Sequence, residues 1–109
     1  MDKLDYIFQM QKDLEKYVAT TRYPNKPEDR ISALSVAIIH EAVELQRLTN
    51  WKWWKTTVDF DLKLAKEELI DILHFVIQVS IELGMSPSEI LQEFSKKHSV
   101  NMKRQKTNY

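Results

Sequence analysis

The near absence of glycine is the feature that most restricts the fold of this chain. Its 109 residues include one glycine, Gly84. A β-sheet protein of this size would usually need more glycines at its turns. The three prolines, Pro24, Pro27 and Pro87, fall where helices are expected to start or stop. The sequence therefore predicts an all-α protein, and its length predicts a single domain over residues 1–109.

The spacing of apolar residues predicts the first three helices. The first is expected over residues 3–19 and the second from residue 27 or 30 to about residue 49. The third is expected over residues 60–83. Between residues 69 and 81 it is apolar nearly all round, which favours a place at the centre of a bundle or dimer.

The end of the third helix and the start of a fourth have clear signals. Gly84 is predicted to cap the third helix, and Ser86-Pro87-Ser88-Glu89 reads as a capping box. The fourth helix is predicted to end near residue 98. Residues 99–109 are expected to be helical, extended or ordered only with substrate. These segments predict a four- to five-helix bundle.

Composition narrows the classes of function. There is no cysteine, which excludes disulfides, zinc-thiolate sites and iron–sulfur clusters. Sixteen basic residues balance sixteen acidic ones, so bulk charge gives no argument for nucleic acid or a membrane. Without a signal peptide or a long apolar run, the sequence predicts a soluble, cytoplasmic protein.

Two pairs of acids lie among apolar residues of the second and third helices. Glu41 and Glu44 form ExxE, and Glu68 and Asp71 form ExxD. Because residues three apart share a helix face, both pairs fall on stripes that should be apolar. Burying unpaired carboxylates is costly, and hard divalent cations such as Mg²⁺ or Mn²⁺ would offset that cost. The alternative is a solvated acidic face, and periodicity alone leaves both open.

His74 and the tryptophans allow more than one interpretation. A lone histidine on an apolar face is more often a core residue than a metal ligand. Trp51, Trp53 and Trp54 are the only tryptophans of the chain. They would either pack against helix ends or provide a stacking wall for a nucleobase.

The last part of the chain is basic. No acid occurs from Phe94 to Tyr109, and Lys97, Asn101 and Arg104 are spaced to share one helical face. A solvated tail, a nucleic-acid arm and a phosphate-binding face all fit this pattern. Cations that face an acidic metal site would fit a polyphosphate held between metal ions and Arg or Lys.

These features together resemble the all-α nucleotide pyrophosphatases, the superfamily of MazG and dimeric dUTPase. Its mark is ExxE, a spacer and ExxD, matched here by Glu41-Ala-Val-Glu44 and Glu68-Leu-Ile-Asp71. Four further segments are most similar to dimeric dUTPases. They are MQKDL at 10–14, NWKWWK at 50–55, EELIDILHF at 67–75 and KKHSVNMKRQKTNY at 96–109.

The resemblance implies hydrolysis of dUTP to dUMP and pyrophosphate by a homodimer or a dimer of dimers. It implies two or three Mg²⁺ ions, replaceable by Mn²⁺, on Glu41, Glu44, Glu68 and Asp71. Glu41 or Glu44 would activate the water that attacks the α-phosphorus. Phosphate ligands would be Lys97, Asn101, Arg104 and Tyr109, in part from a neighbouring subunit. Base and sugar contacts would come from Gln11, Lys52, Trp54, His74 and Phe75.

The sequence also departs from the family pattern. Glu15 stands where the family usually has Asp or Asn beside the base. The alternatives are therefore a MazG-like enzyme acting on dCTP or a damaged dNTP, a helical binding module without chemistry, or a nucleic-acid module.

Overall fold

A computed structural model of the chain describes residues 1–18 and 21–107, and within these ranges it is all-α. This confirms the predicted fold class. The helices are α1 (Lys3–Val18), α2 (Pro27–Arg47), α3 (Leu62–Glu82) and α4 (Pro87–Lys106). The predicted end of the first helix, residue 19, lies outside the described residues. Helix α4 runs well past the predicted end at residue 98, because no glycine or proline follows Pro87 to stop it.

The helix ends follow from local chemistry. The Asp61 side chain accepts a hydrogen bond from the Leu64 N–H (3.0 Å), which sets the start of α3. Ser86 Oγ likewise accepts from the Glu89 N–H (3.1 Å) at the start of α4. Gly84, at φ +74°, lies just past the end of α3. Its N–H donates to Ile81 and the next N–H, of Met85, to Ser80, which is the Schellman pattern.

The packing centres on α3. Helix α2 lies along α3, α1 packs against α3, and α4 touches α1. Few large apolar side chains are buried between them, notably Phe8, Leu34 and Ile77. The predicted central place of α3 is therefore only partly realised within one chain.

Much apolar surface stays uncovered. The radius of gyration is 17.3 Å, whereas a compact chain of this length has about 13 Å. Helix α4 has no buried residue, and its Leu91 and Phe94 are 66% and 71% exposed. A single chain therefore does not cover its own apolar faces.

Among the described helices, none alone has the length and apolar character to cross a membrane; only the sharply bent pair α3 and α4 passes that test of length and composition together.

Candidate active site

Helices α2 and α3 bring three of the four predicted metal ligands together. One carboxylate oxygen from each of Glu41, Glu44 and Glu68 lies within 4.8 Å of the others. The i, i+3 spacing places the first two on one face of α2, and the packing of α2 on α3 adds Glu68. Glu41 and Glu68 are half-buried, whereas Glu44 is exposed. The predicted ExxE pair and the first acid of ExxD therefore form one cluster.

The cluster is electrostatically uncompensated. Glu41 Oε2 and Glu68 Oε2 are buried without a hydrogen-bond partner. Burial, followed by the charges of Glu44 and Asp71, raises the pKa of both carboxyls. Within residues 1–18 and 21–107, no lysine or arginine forms an ion pair with the three acids. Hard carboxylate oxygens that converge without a counter-charge suit a divalent cation such as Mg²⁺.

Asp71 lies at the edge of this cluster. Its side chain is exposed, and it is not among the three acids whose oxygens converge. Its negative charge nevertheless contributes to the raised pKa of Glu41 and of Glu68. His74 is also outside the three-acid group.

A cavity of about 380 Å³ between α1 and α3 contains three of the predicted base and sugar residues, Gln11, His74 and Phe75. Gln11 is 8% exposed and hydrogen-bonded on both sides of its amide. Its Oε1 lies 2.7 Å from His74 Nδ1, and its Nε2 donates to Gln78 Oε1 at 3.0 Å. The other lining residues include Glu15, Tyr23 and Gln78. The structure thus joins the three predicted residues in one mostly apolar cavity with a few polar groups, the usual character of a ligand site.

Gln78 and Glu82 are two polar residues that the sequence analysis missed. Gln78 is 5% exposed and donates from Nε2 to Glu82 Oε1 at 3.1 Å. They follow His74 by four and eight residues, so all three share one face of α3. Polar residues at this spacing in an apolar helix were the signal that could have found them.

Lys52 and Trp54 lie elsewhere. Both are exposed in the segment between α2 and α3, and neither lines the cavity that contains Gln11. Trp54 makes edge contacts with Trp51 and Trp53, at centroid distances of 6.0 and 5.4 Å. Lys52 Nζ lies 5.3 Å from the Trp51 ring centroid. The tryptophans form a cluster of their own at the surface.

Three of the four predicted phosphate ligands are on α4. Lys97, Asn101 and Arg104 belong to one continuous helix and are exposed, and α4 packs on α1. In the described part of the chain, no hydrogen bond or ion pair joins Lys97 or Asn101 to the acid cluster. Tyr109 lies outside the described residues. Within residues 1–18 and 21–107, one chain therefore does not join Lys97 or Asn101 to the acids.

The family of the chain follows from its similarity to known protein families. A family model described as dUTPase matches residues 3–90. The chain belongs to this dUTPase family. The match includes the acid cluster and the cavity of the dUTPase-like chain, and it ends before the phosphate-binding residues predicted on α4. Comparisons with curated proteins and with solved structures gave no match. Family membership supports a dUTP diphosphatase-like hydrolase with a nucleotide ligand.

Proposed function

We propose that the protein is a Mg²⁺-dependent dUTP diphosphatase that releases dUMP and pyrophosphate. The observation that carries the proposal is the cluster of Glu41, Glu44 and Glu68, in which two buried carboxylate oxygens lack a partner. Such a cluster is destabilising without a cation and is suited to bind one. The family match supplies the substrate class.

Each acid has a proposed role. Glu41, Glu44, Glu68 and Asp71 would hold two or three Mg²⁺ ions, and Mn²⁺ would substitute for them. Bound Mg²⁺ supplies neutralising charge for the triphosphate and lowers the pKa of a coordinated water. Glu41 or Glu44 would orient a water for in-line attack on the α-phosphorus and would take its proton. Because these side chains project from two packed helices, their separation is held by the helix packing.

The cavity between α1 and α3 is the proposed site of the base and sugar. Its volume of about 380 Å³ lies within the range of about 300–1,000 Å³ typical of small-molecule sites. Gln11 has a second amide N–H and a second carbonyl lone pair to offer the base. His74 provides a further polar contact, and Phe75 packs against the deoxyribose and excludes a 2′-hydroxyl.

The remaining contacts require a second subunit in this proposal. Lys97, Asn101, Arg104 and Tyr109 bind phosphates across the interface of a homodimer, and Lys52 and Trp54 contact the base or sugar in the same way. The support is that α4 and the tryptophan segment are exposed in one chain while several of their apolar side chains are uncovered.

The decisive experiment measures pyrophosphate release from dUTP, dCTP, dTTP, dATP, dGTP and UTP, each with Mg²⁺ and with EDTA. We expect metal-dependent hydrolysis of dUTP over dCTP and UTP. Metal-dependent hydrolysis with another preference would overturn the uracil assignment alone. No hydrolysis of any nucleotide would overturn the enzyme assignment and favour a binding module.

A variant and a matched control test whether the acid cluster is needed for turnover. Glu44→Gln keeps the side-chain shape and removes the charge, and we expect turnover to fall at least about 10²-fold with the helical circular dichroism retained. Glu67→Gln is the control, because Glu67 is exposed on α3 beside Glu68 but outside the cluster. Full turnover of Glu44→Gln would contradict the metal-site assignment.

A MazG-like preference for another base is the second candidate, and Glu15 is the observation that favours it. Its half-buried carboxyl lines the cavity. A carboxylate accepts hydrogen bonds, which suits an exocyclic amino group such as that of cytosine. If Glu15 reads the base, Glu15→Gln changes the ratio of dCTP to dUTP hydrolysis; an unchanged ratio excludes this role.

A further inference from the structure

A chain of hydrogen bonds along one face of α3 has a fixed order of donors and acceptors. His74, Gln78 and Glu82 are spaced by four residues, and Gln11 of α1 lies between the first two. The bonds are His74 Nδ1 to Gln11 Oε1 (2.7 Å), Gln11 Nε2 to Gln78 Oε1 (3.0 Å) and Gln78 Nε2 to Glu82 Oε1 (3.1 Å). Both glutamines are buried, so water is kept from the bond between them, whereas His74 at one end of the chain of bonds is exposed.

Glu82 fixes which group donates in each of these bonds. Its side chain is 7% exposed and pairs with Arg30, whose NH1 lies 3.3 Å from Oε2. The Tyr23 hydroxyl donates to Oε1 at 2.9 Å. Burial, then the hydrogen bond to Glu82 and its charge, raise the pKa of Tyr23 to about 12, so this hydroxyl keeps its proton. A carboxylate paired with a guanidinium only accepts, so Gln78 must present its amide nitrogen to it.

The orientation of the Gln78 amide then fixes the orientation of each following group. An amide that turns its nitrogen to one neighbour turns its oxygen to the other, so the Gln78 oxygen faces Gln11. Gln11 must then donate from its nitrogen, and its oxygen faces His74. A carbonyl oxygen only accepts, so His74 Nδ1 carries the proton. In a neutral imidazole with a proton on Nδ1, the second nitrogen Nε2 is an acceptor.

We propose that Glu82 is a positioning residue, which holds His74 in the Nδ1–H form through Gln78 and Gln11 and so leaves Nε2 as a hydrogen-bond acceptor for a ligand. His74 lines the cavity proposed for the base. An acceptor there complements the ring N–H of uracil and disfavours the unprotonated ring nitrogen of cytosine. This last step rests on the proposed function, whereas the form of the imidazole does not.

The first test is nitrogen NMR of the ligand-free protein. Long-range ¹H–¹⁵N correlation spectra, recorded at a pH where imidazoles are neutral, distinguish the two neutral forms of each histidine. His74 is assigned by loss of its signals in His74→Gln. His40 and His98, which are exposed as His74 is, are internal references for rings outside this chain of bonds. We expect His74 to be in the Nδ1–H form; an Nε2–H form would overturn the proposal.

Two variants then test the role of Glu82. Glu82→Gln can donate as well as accept, and Gln78→Met breaks the chain of bonds but leaves Glu82, Arg30 and Tyr23 together. In both, we expect His74 to move toward the mixture of forms shown by His40 and His98. If Glu82→Gln does not fold, Gln78→Met alone decides. A folded Gln78→Met protein whose His74 remains wholly in the Nδ1–H form would refute the role of this chain of hydrogen bonds. Glu67→Gln is the control on α3 and should leave His74 unchanged.

Kinetics test the step that depends on the substrate. For Glu82→Gln we expect the KM for dUTP to rise by roughly tenfold, the worth of one hydrogen bond, with kcat changed by less than about twofold. A shifted imidazole with an unchanged KM would overturn the ligand contact of His74. If the unmodified protein hydrolyses no nucleotide, the proposed function fails. The NMR result still shows whether Glu82 fixes the form of the His74 imidazole.

Discussion

At the scale of single residues, the acid cluster makes the stability of the metal-free protein depend on pH. The pKa of Glu41 and of Glu68 is raised from an ordinary value of 4.5, first by burial and then by the neighbouring acids. Above pH 4.5, and up to the raised pKa values, the folded state therefore binds more protons than the unfolded state. Stability falls as the pH rises through that window.

The first prediction concerns Glu68→Gln in EDTA. Because the variant removes one charge from the cluster, we expect its Tm at pH 7 to exceed that of the unmodified protein, and the difference to shrink toward pH 4.5. Mg²⁺ at ten times its Kd should stabilise the unmodified protein by about 1.4 kcal/mol and the variant by less. Thermal unfolding at the two pH values, with and without Mg²⁺, checks this. Glu67→Gln is the control, and a Glu68→Gln protein that gains as much from Mg²⁺ as the unmodified one would contradict the site.

The second prediction concerns the proposed sugar contact. Phe75 is half-buried and lines the cavity, so Phe75→Ala should open space for a 2′-hydroxyl. We expect the preference for dUTP over UTP, as a ratio of kcat/KM values, to fall by roughly tenfold or more. The preference for dUTP over dCTP serves as the internal control and should change little. An unchanged dUTP-to-UTP ratio would show that another residue excludes the hydroxyl.

At the scale of the helices, short-range chemistry predicted most of what is observed. Ser86 starts α4 and Gly84 ends α3, as predicted, whereas the third helix was predicted to start at residue 60, before the Asp61 cap that the structure shows. These signals depend on residues within one turn of each other, so they can be read without knowledge of the packing. The fourth helix was predicted to end near residue 98 and to be followed by a helical or extended tail. The structure continues α4 to Lys106, since charge and polarity in residues 99–106 do not by themselves stop a helix.

The third prediction is made at this scale. Gly84 has φ +74° and open space where a Cβ would lie, so Gly84→Ala meets backbone strain but no collision. We expect a loss of about 1 kcal/mol, which is a fall in Tm of roughly 4–8 °C for a chain of this size. Gly84→Asn is the matched control and should lose less, because asparagine tolerates this conformation better. Equal losses in the two variants would show that the strain is not conformational.

At the scale of the whole molecule, uncovered apolar surface is the main feature. Helix α4 has no buried residue and α3 is only partly covered, although α3 carries the most apolar segment of the chain. The predicted homodimer would cover these faces and place a second set of cations near the acids. In the proposed dimer, the active site would depend on assembly as well as on the fold of one chain.

The fourth prediction is an oligomer that depends on α4. We expect a mass in solution of about twice the 13.0 kDa of one chain, and a Tm that rises with protein concentration. Phe94→Glu places a charge on an apolar side chain that is 71% exposed in the monomer. It should shift the protein toward the monomer in sedimentation velocity. Gln92→Glu adds the same charge at an exposed polar position of α4 and should leave the mass unchanged. A monomeric unmodified protein would contradict the prediction.

The sequence by itself determined the helical class, the helix starts and the pairing of Glu41 with Glu44, because caps and the 3.6-residue period act within a few turns of chain. Only the tertiary structure decided that Glu68, and not Asp71, joins that pair, and that Gln11 bridges His74 and Gln78. These contacts depend on the rotation and depth at which one helix packs on another. That geometry is set by the combined burial of many side chains, which no local pattern contains.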